Sequence, residues 1–309
     1  MDENIMSINE GQLKKIGMSE AFTPELQALM KEGNPMIAYS FKKQYDDDKV
    51  GIDLQLKKSA SSDCYYPKRF DLHLQKDGQD NPVSQAFYIY MVRAKTNEAE
   101  VRLENKYTLK EAYNLLAGRP VYKTFYNKEG EEYQSWNQIN FKKLLDNGNH
   151  EIKHYNNNYG FKLEDVLAKY SIKDLLTENY KQNLMESLQR GNMQKVTFNL
   201  GDGKEEKLYI SPSITTGSLN IYNEQKQRIP LDDQLKNGLI DKSFGEELQQ
   251  RFGNKQMQTE AKPEITGKAI SLEGALKPEA EKKTVKKSQK AKQTSDKEKP
   301  VKKAKQKIS

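Results

Sequence analysis

Residues 150–154 read His-Glu-Ile-Lys-His, the spacing with which zinc peptidases hold their metal. Two imidazoles at i and i+4 share one face of a helix while the Glu between them polarises a metal-bound water. That chemistry needs a helix. Here the segment lies between Asp146-Asn-Gly-Asn149 and Asn156-Asn-Asn158, which are turn formers, and His150, Ile152 and His154 alternate as they would along a β-strand. On a strand the two imidazoles stand roughly 13 Å apart, at about 3.3 Å per residue, too far to share a metal bound at about 2 Å. The spacing therefore predicts a strand, and no metal ligand set is assigned to it.

The other residues with chemical potential are equally bounded by their surroundings. His73 sits in an alternating run beside Leu72 and Leu74 and reads as a surface residue of a strand. Gly201-Asp-Gly-Lys204 lacks the spacing of a phosphate-cradling loop and reads as a hairpin turn. Asp46-Asp-Asp48 has neither the central Gly nor the distal Glu of a calcium loop and reads as a solvated turn. Cys64 is the only cysteine, which excludes an internal disulfide and a Cys-based zinc cluster. No nucleophile, base and orienting group share a recognisable spacing, so no catalytic residue and no cofactor are assigned.

Two sets of residues point instead to binding. Trp136 lies among Tyr122, Phe125, Tyr126, Tyr133, Phe141, Tyr155 and Tyr159, a density of rings that can pair across strands, fill a core or stack nucleobases. Arg119 and Arg190 each stand at a helix end, where a guanidinium can bind phosphate or help satisfy the last carbonyls. Arg119, Tyr133, Trp136 and Arg190 are the candidate interaction surface. The second set is the C-terminal run. Residues 277–309 hold thirteen Lys against four acidic residues, a net +9, which leaves −2 of the overall +7 to residues 1–276. Lys282, Lys283, Lys286, Lys287, Lys290, Lys292, Lys302, Lys303, Lys305 and Lys307 are interleaved with small and polar residues and no aromatic. Such a run cannot bury enough apolar surface to fold. Lysine point charges hold phosphates without reading base edges, so the expected contact with DNA or RNA is nonspecific.

The elements that must position these residues follow from periodicity. Thr108-Leu-Lys-Glu111 is a capping box that opens a helix with Leu109, Ala112, Tyr113, Leu115 and Leu116 on one face, and Gly118 ends it. Strands are predicted at Val121 to Tyr126 and Tyr133 to Phe141 around the turn Asn127 to Gly130, and helices at Lys162 to Tyr170 and Glu178 to Gln189. Upstream, two short helices close at Gly17 and Gly33, the second with Thr23 as N-cap and Pro24 at its first position. Runs at Met36 to Tyr45, Val50 to Lys57, Phe70 to Gln75 and Gln85 to Val92 predict a four-stranded meander with turns at Asp46 to Asp48 and Asp77-Gly78. Arg93 to Lys106, dense in charge, reads as a loop or exposed helical insertion. Further strands are expected at Met193 to Leu200, Lys207 to Ser211 and Ser218 to Tyr222, then short helices at Leu231 to Lys236 and Phe244 to Phe252. The fold class is α+β: antiparallel β-meanders with several short amphipathic helices, followed by a disordered basic tail. The divisions are 1–106, 107–252, either separate from the first or continuous with it, and 253–309 for the tail. With 35% hydrophobic and 31% charged residues the core is lean for 309 residues. The acidic N-terminus lacks the pattern of a signal peptide and no apolar run approaches the roughly 18 residues that span a bilayer, so the cytoplasm is the expected compartment, with no membrane partner.

The phrases LKEAYNLLAGRPVYK, KEGEEYQSWNQINF, YGFKLEDVLAKYSIKDL and LMESLQRGNMQKVTF resemble a Bacteroidetes family of unknown function. The likeness continues through KLYISPSITTGSLNIYNEQKQRI and, more weakly, back to about Asn9. Proteins of that family are carried on conjugative transposons and mobilisable elements, in some cases beside DNA-processing modules. The resemblance implies a setting and brings no catalytic residue with it. The expected function is a non-enzymatic accessory protein of a mobile genetic element, whose body docks an unidentified protein partner, encoded by that element or by its host, and whose tail touches nucleic acid. The runner-up is an enzyme acting on nucleic acid or a small molecule.

Overall fold

A computed structural model of the chain describes residues 2–76, 81–95 and 100–260. In order, the elements are α1 (Glu3–Lys15), α2 (Pro24–Glu32), β1 (Met36–Tyr45), β2 (Asp48–Lys58), β3 (Tyr65–Gln75), β4 (Val83–Tyr88), β5 (Tyr90–Lys95), β6 (Glu100–Asn105), α3 (Leu109–Leu116), β7 (Val121–Tyr126), β8 (Glu132–Leu144), β9 (His150–Asn156), α4 (Leu163–Leu167), α5 (Glu178–Gln189), β10 (Gln194–Asn199), β11 (Glu205–Ser213), β12 (Ser218–Tyr222), α6 (Leu231–Lys236) and α7 (Lys242–Glu260). All strand pairs are antiparallel: β1-β2-β3-β4, β5-β6, β7-β8-β9 and β10-β11-β12, each sheet in sequence order. The fold is α+β, built from meanders and short helices. The Asp77-Gly78 turn and the Lys-rich tail lie outside the described residues.

The first meander shows why alternation makes a half-wet sheet. Val50, Ile52, Leu54 and Leu56 on β2 and Phe70, Leu72 and Leu74 on β3 are buried, while Asp53, Asp71 and His73 point away. Helix α1 covers the apolar face with Leu13, and Ile16 just beyond its end joins the same core. Helix α2 adds Leu26 and Met30, its N-terminus capped by Thr23, whose Oγ1 accepts from the Leu26 amide at 3.2 Å. Helix α3 closes the core. Its capping box is complete, with Thr108 and Glu111 each accepting the other's amide, and its first amide donates to the Ile16 carbonyl at 2.8 Å.

The sheet β7-β8-β9 is shared between two cores. Val121, Phe125, Ile139 and Ile152 face the first core, and Tyr122, Trp136 and Tyr155 face the second. The second core is completed by α4, α5, the sheet β10-β11-β12 and α7, through residues such as Leu167, Leu188, Phe198, Ile210, Ile221 and Leu248. The described residues between 2 and 260 belong to one compact unit.

The described residues of the charge-dense stretch Arg93 to Lys106 do not form the expected loop or helical insertion. Its described part is the ribbon β5-β6, paired from Tyr90 with Asn105 to Lys95 with Glu100. The signal was present, since Val92 and Ala94, then Val101 and Leu103, alternate with charged residues. Charge density masked it, and a two-stranded ribbon needs little buried area to be drawn as strand. The run expected from Gln85 to Val92 is divided at Ile89 into β4 and β5, although the Ile89 amide still donates to the Lys68 carbonyl of β3 at 2.8 Å. Helix α4 is shorter than the predicted Lys162 to Tyr170, and α7 continues past Phe252 to Glu260.

One joint fastens α3 and β7 to the end of α5. Asn114, fully buried, donates to the Arg190 carbonyl at 2.8 Å and to Asn192 at 2.9 Å. Arg119 donates to the Gly191 carbonyl at 2.9 Å and to Asn114 Oδ1 at 2.7 Å. Gly191 adopts φ +80°, and a Cβ there would stand 2.9 Å from Asn114 Cβ and 2.9 Å from Val121 Cγ2. Gly191→Ala is expected to cost about 2–4 kcal/mol, from left-handed strain and overpacking together. Gly148→Ala, at φ +79° with open space around it, should cost only the strain, about 1–2 kcal/mol. Urea unfolding midpoints of the two variants check the difference.

Candidate functional site

A chain of rings runs from the first core to the surface. Phe70 stacks on Phe87 at 5.4 Å, Phe87 meets Tyr107 edge-on at 5.8 Å, Tyr107 meets Phe125 edge-on at 5.4 Å, and Phe125 leans on Tyr133 at 5.9 Å. It ends in a cleft of about 220 Å³ between β4, the root of the β5-β6 ribbon and β7-β8-β9. Tyr88, Tyr90, Tyr107, Phe125, Tyr133 and His154 provide its rings, and Lys106 contributes a cation. Tyr90 is 52% exposed, Tyr88 48% and Tyr133 38%, so ring surface at the rim is open to a ligand.

Alternation on β9 puts His154 into this cleft: it follows Ile152 by two positions, on the same side of the strand. Its Nδ1 lies 2.5 Å from Asn137 Oδ1. Asn137 uses its Nδ2 to donate to the Val121 and Ser135 carbonyls, so its Oδ1 is the acceptor and the His154 proton is fixed on Nδ1. Nε2 keeps its lone pair. Burial holds the His154 pKa below the usual imidazole value and keeps the ring neutral near pH 7. At the base of the cleft Tyr107 is 8% exposed, and its hydroxyl is buried without a hydrogen-bond partner. Burial first, and then the nearby Glu111, Tyr133 and Tyr90, raise its pKa above the phenol range, so the hydroxyl stays protonated. The residues that line the cleft thus carry a buried unsatisfied donor, an acceptor and several ring surfaces.

The structure separates the residues that the sequence grouped. Trp136 is 5% exposed and faces the opposite core, packed on Tyr122 at 5.2 Å and Phe161 at 5.5 Å. Arg119 is engaged in the Asn114–Gly191 joint and lies 5.1 Å over the Tyr113 ring. Arg190 is exposed and pairs with Glu186 at 3.5 Å. Only Tyr133 of the four belongs to the cleft. The partners of Tyr133 were not legible because Tyr88, Tyr90 and Tyr107 precede it by a whole helix and strand, and no local period joins them.

His150 and His154 lie on a strand, as the turn formers around them required, and their contacts are different: His150 meets the Phe141 ring at 5.3 Å. Among the described residues no group of three or more His, Cys, Asp or Glu is placed to hold a metal ion. His73 is a surface residue, and sequence reasoning missed its partners. Its Nε2 lies 2.9 Å from Asp53, its Nδ1 2.7 Å from Ser84, and Asp53 accepts from Ser40 at 2.6 Å. The Ser84, His73, Asp53 chain has the members of a hydrolytic triad. It lies on the open face of the first sheet, with Asp53 on β2, His73 on β3 and Ser84 on the edge strand β4. A second cleft, of about 350 Å³, is lined by Tyr170, Ser218, Leu219, Arg228 and Gln234 among others. Its buried polar groups are satisfied: the Leu219 amide donates to Tyr170 Oη and Gln234 donates to the Ile229 carbonyl.

Comparison with protein-family models, with curated proteins and with solved structures finds no match for the chain. Among the described residues no helix is long and apolar enough to cross a membrane.

The neutral state of His154 makes stability depend on pH. With a folded pKa below the ordinary value of about 6.5, the unfolded chain binds the proton first as pH falls, so stability is complete above about 6.5 and is lost as pH drops through the folded pKa. Thermal unfolding at about pH 7.5 and about pH 5.5 should show a larger loss for the native chain than for His154→Gln, which carries no titrating ring at this position.

Proposed function

We propose that the protein is a binding module whose body accepts a single planar ring from a macromolecular partner in the Tyr107 cleft. The Lys-rich residues 277–309 add weak, sequence-independent contact to nucleic-acid phosphates. The observation that carries the reading is the buried, unpartnered Tyr107 hydroxyl at the base of a cleft rimmed by exposed rings. A buried polar atom without a partner costs about 1–3 kcal/mol, a cost that a ligand able to accept its hydrogen bond would remove. At about 220 Å³ the cleft is smaller than the roughly 300–1,000 Å³ of sites that enclose whole small molecules, and suits one ring presented by a larger body. Phe141, Leu144 and Leu145, exposed at the end of β8 and in the turn after it, supply an apolar surface for a protein partner.

The setting is that of an accessory protein of a mobile genetic element, acting in the cytoplasm without catalysing a reaction. Its support is the resemblance carried by LKEAYNLLAGRPVYK and the phrases that follow it. The Ser84, His73, Asp53 chain favours the second reading, an enzyme, and falls below the first because none of its three residues lines either of the two clefts described above.

The tail contribution is tested by fluorescence anisotropy on a labelled duplex across a salt series. If about five lysines engage at once, affinity should fall with a log-log slope near −4 to −5, and native and scrambled duplexes should bind alike. Removing residues 277–309 takes away a net +9 and leaves a body near −2, which should abolish duplex binding. Equal affinity and slope for the shortened chain would place the phosphate contacts on the body and overturn this part of the proposal.

A further inference from the structure

We infer that the ring taken by the Tyr107 cleft is an unpaired nucleobase, so that the protein binds single-stranded nucleic acid in preference to duplex. The inference rests on the ring-binding function proposed for this cleft and names its ligand. Three observations select a base over an aromatic side chain of a protein. The first is the pairing of a free donor, the Tyr107 hydroxyl, with an acceptor, His154 Nε2, on residues lining one small cleft. A Phe ring satisfies neither, an indole offers only a donor, and a Tyr side chain offers both only at one hydroxyl oxygen. A base carries donors and acceptors together on its exposed edge once it is unpaired. The second is the set of open rings at the rim, Tyr88, Tyr90 and Tyr133, which present π-faces that tolerate any base. The third is charge: Lys106 is part of the lining and Arg69 lies 5.2 Å over the Tyr88 ring, so two cations border the place where a flanking backbone would run. Both are held by acidic neighbours, Lys106 by Glu104 and Arg69 by Asp71 at 2.8 Å. The rim is therefore near neutral before binding, and the long-range attraction comes from the chain's net +7, which its Lys-rich run supplies.

In duplex DNA or RNA the base edges are paired and the faces stacked, so no base can enter a cleft of this size without being extruded. Selectivity for single strands then needs no sequence readout beyond the donor and acceptor in the cleft.

The test uses the full chain and a labelled oligonucleotide, single-stranded or annealed to its complement, with affinities measured by anisotropy at one fixed salt concentration. The variants are Tyr107→Phe, which removes only the orphaned hydroxyl, and Tyr90→Ala with Tyr133→Ala, which remove the two rim rings. The native chain should bind the single strand more tightly than the duplex. Loss of the two rim rings should weaken single-strand binding by about 5-fold or more, on the scale of base stacking on an aromatic side chain, and leave duplex binding unchanged. Tyr107→Phe should weaken single-strand binding while circular dichroism and unfolding midpoint stay native or rise. Equal affinity for both forms, with neither variant moving either, would overturn the inference and leave the tail as the only nucleic-acid contact, with the general ring-binding proposal intact. Displacement of the ring-dependent signal by a Trp- or Tyr-containing peptide, with no effect of free nucleosides, would give the cleft to a protein side chain and also overturn it. If single strands, nucleosides and aromatic peptides all left the cleft variants indistinguishable from the native chain, the ring-binding proposal itself would fall.

Discussion

Buried side-chain amides stand in for backbone where the sheets of this protein meet. Asn105 holds Tyr126 at both ends, its Oδ1 accepting the Tyr126 amide at 2.9 Å and its Nδ2 donating to the Tyr126 carbonyl at 2.7 Å. Gln85 does the same for His150, at 2.8 and 3.2 Å, and Asn149 Oδ1 accepts the Ala86 amide at 2.8 Å. These contacts join the edge of β4 to the start of β9, and the end of β6 to β7. A strand edge buried without partners would leave amides and carbonyls unsatisfied, at about 1–3 kcal/mol each, and an exposed one would invite pairing with another chain. The side-chain amides close these edges locally while letting the sheets change direction. The Tyr107 cleft is the gap left at that change of direction, bounded by β4 on one side and by β7-β8-β9 on the other.

The same constraint explains why the middle sheet carries two roles. Strand alternation sends Phe125, Ile139 and Ile152 into the first core and Tyr122, Trp136 and Tyr155 into the second. On its first-core face Ser135 and Asn137, each fully buried, are paired internally, with Asn137 bonded to Val121, Ser135 and His154. The tautomer of His154 follows from that network rather than from the cleft. A packing requirement of the sheet thereby fixes the acceptor that the ligand meets.

Much of the fold was legible because local chemistry set it. The Thr108 capping box, the Thr23-Pro24 helix start, Gly33 at φ +77° and the alternations on β2 and β3 each act within a few residues. The strand at His150 to Asn156 was readable for the same reason, since the turn formers on both sides outweighed the His-Glu-Ile-Lys-His spacing. The β5-β6 ribbon was hidden because its alternation is carried by few apolar residues among many charges. The cleft was mostly hidden, because its rings come from five strands and the segment before α3, brought together by amide contacts such as Gln85 with His150, 65 residues apart in the chain. Density of aromatic residues drew attention to Trp136 and Tyr133 alike, and only the direction of the pleat decides which of them reaches a surface.

The amide contacts are the central claim, and hydrogen exchange at two backbone sites measures them most directly. The Tyr126 and His150 amides donate to side chains rather than to a sheet partner. If those contacts hold the sheets together, both amides should exchange only through global opening, as slowly as the amides of the buried strands β2 and β3. Substituting Asn105→Ala should then release Tyr126 to local exchange while β2 and β3 shift only with overall stability. Fast exchange of Tyr126 and His150 in the native chain, orders of magnitude ahead of β2 and β3, would contradict the account.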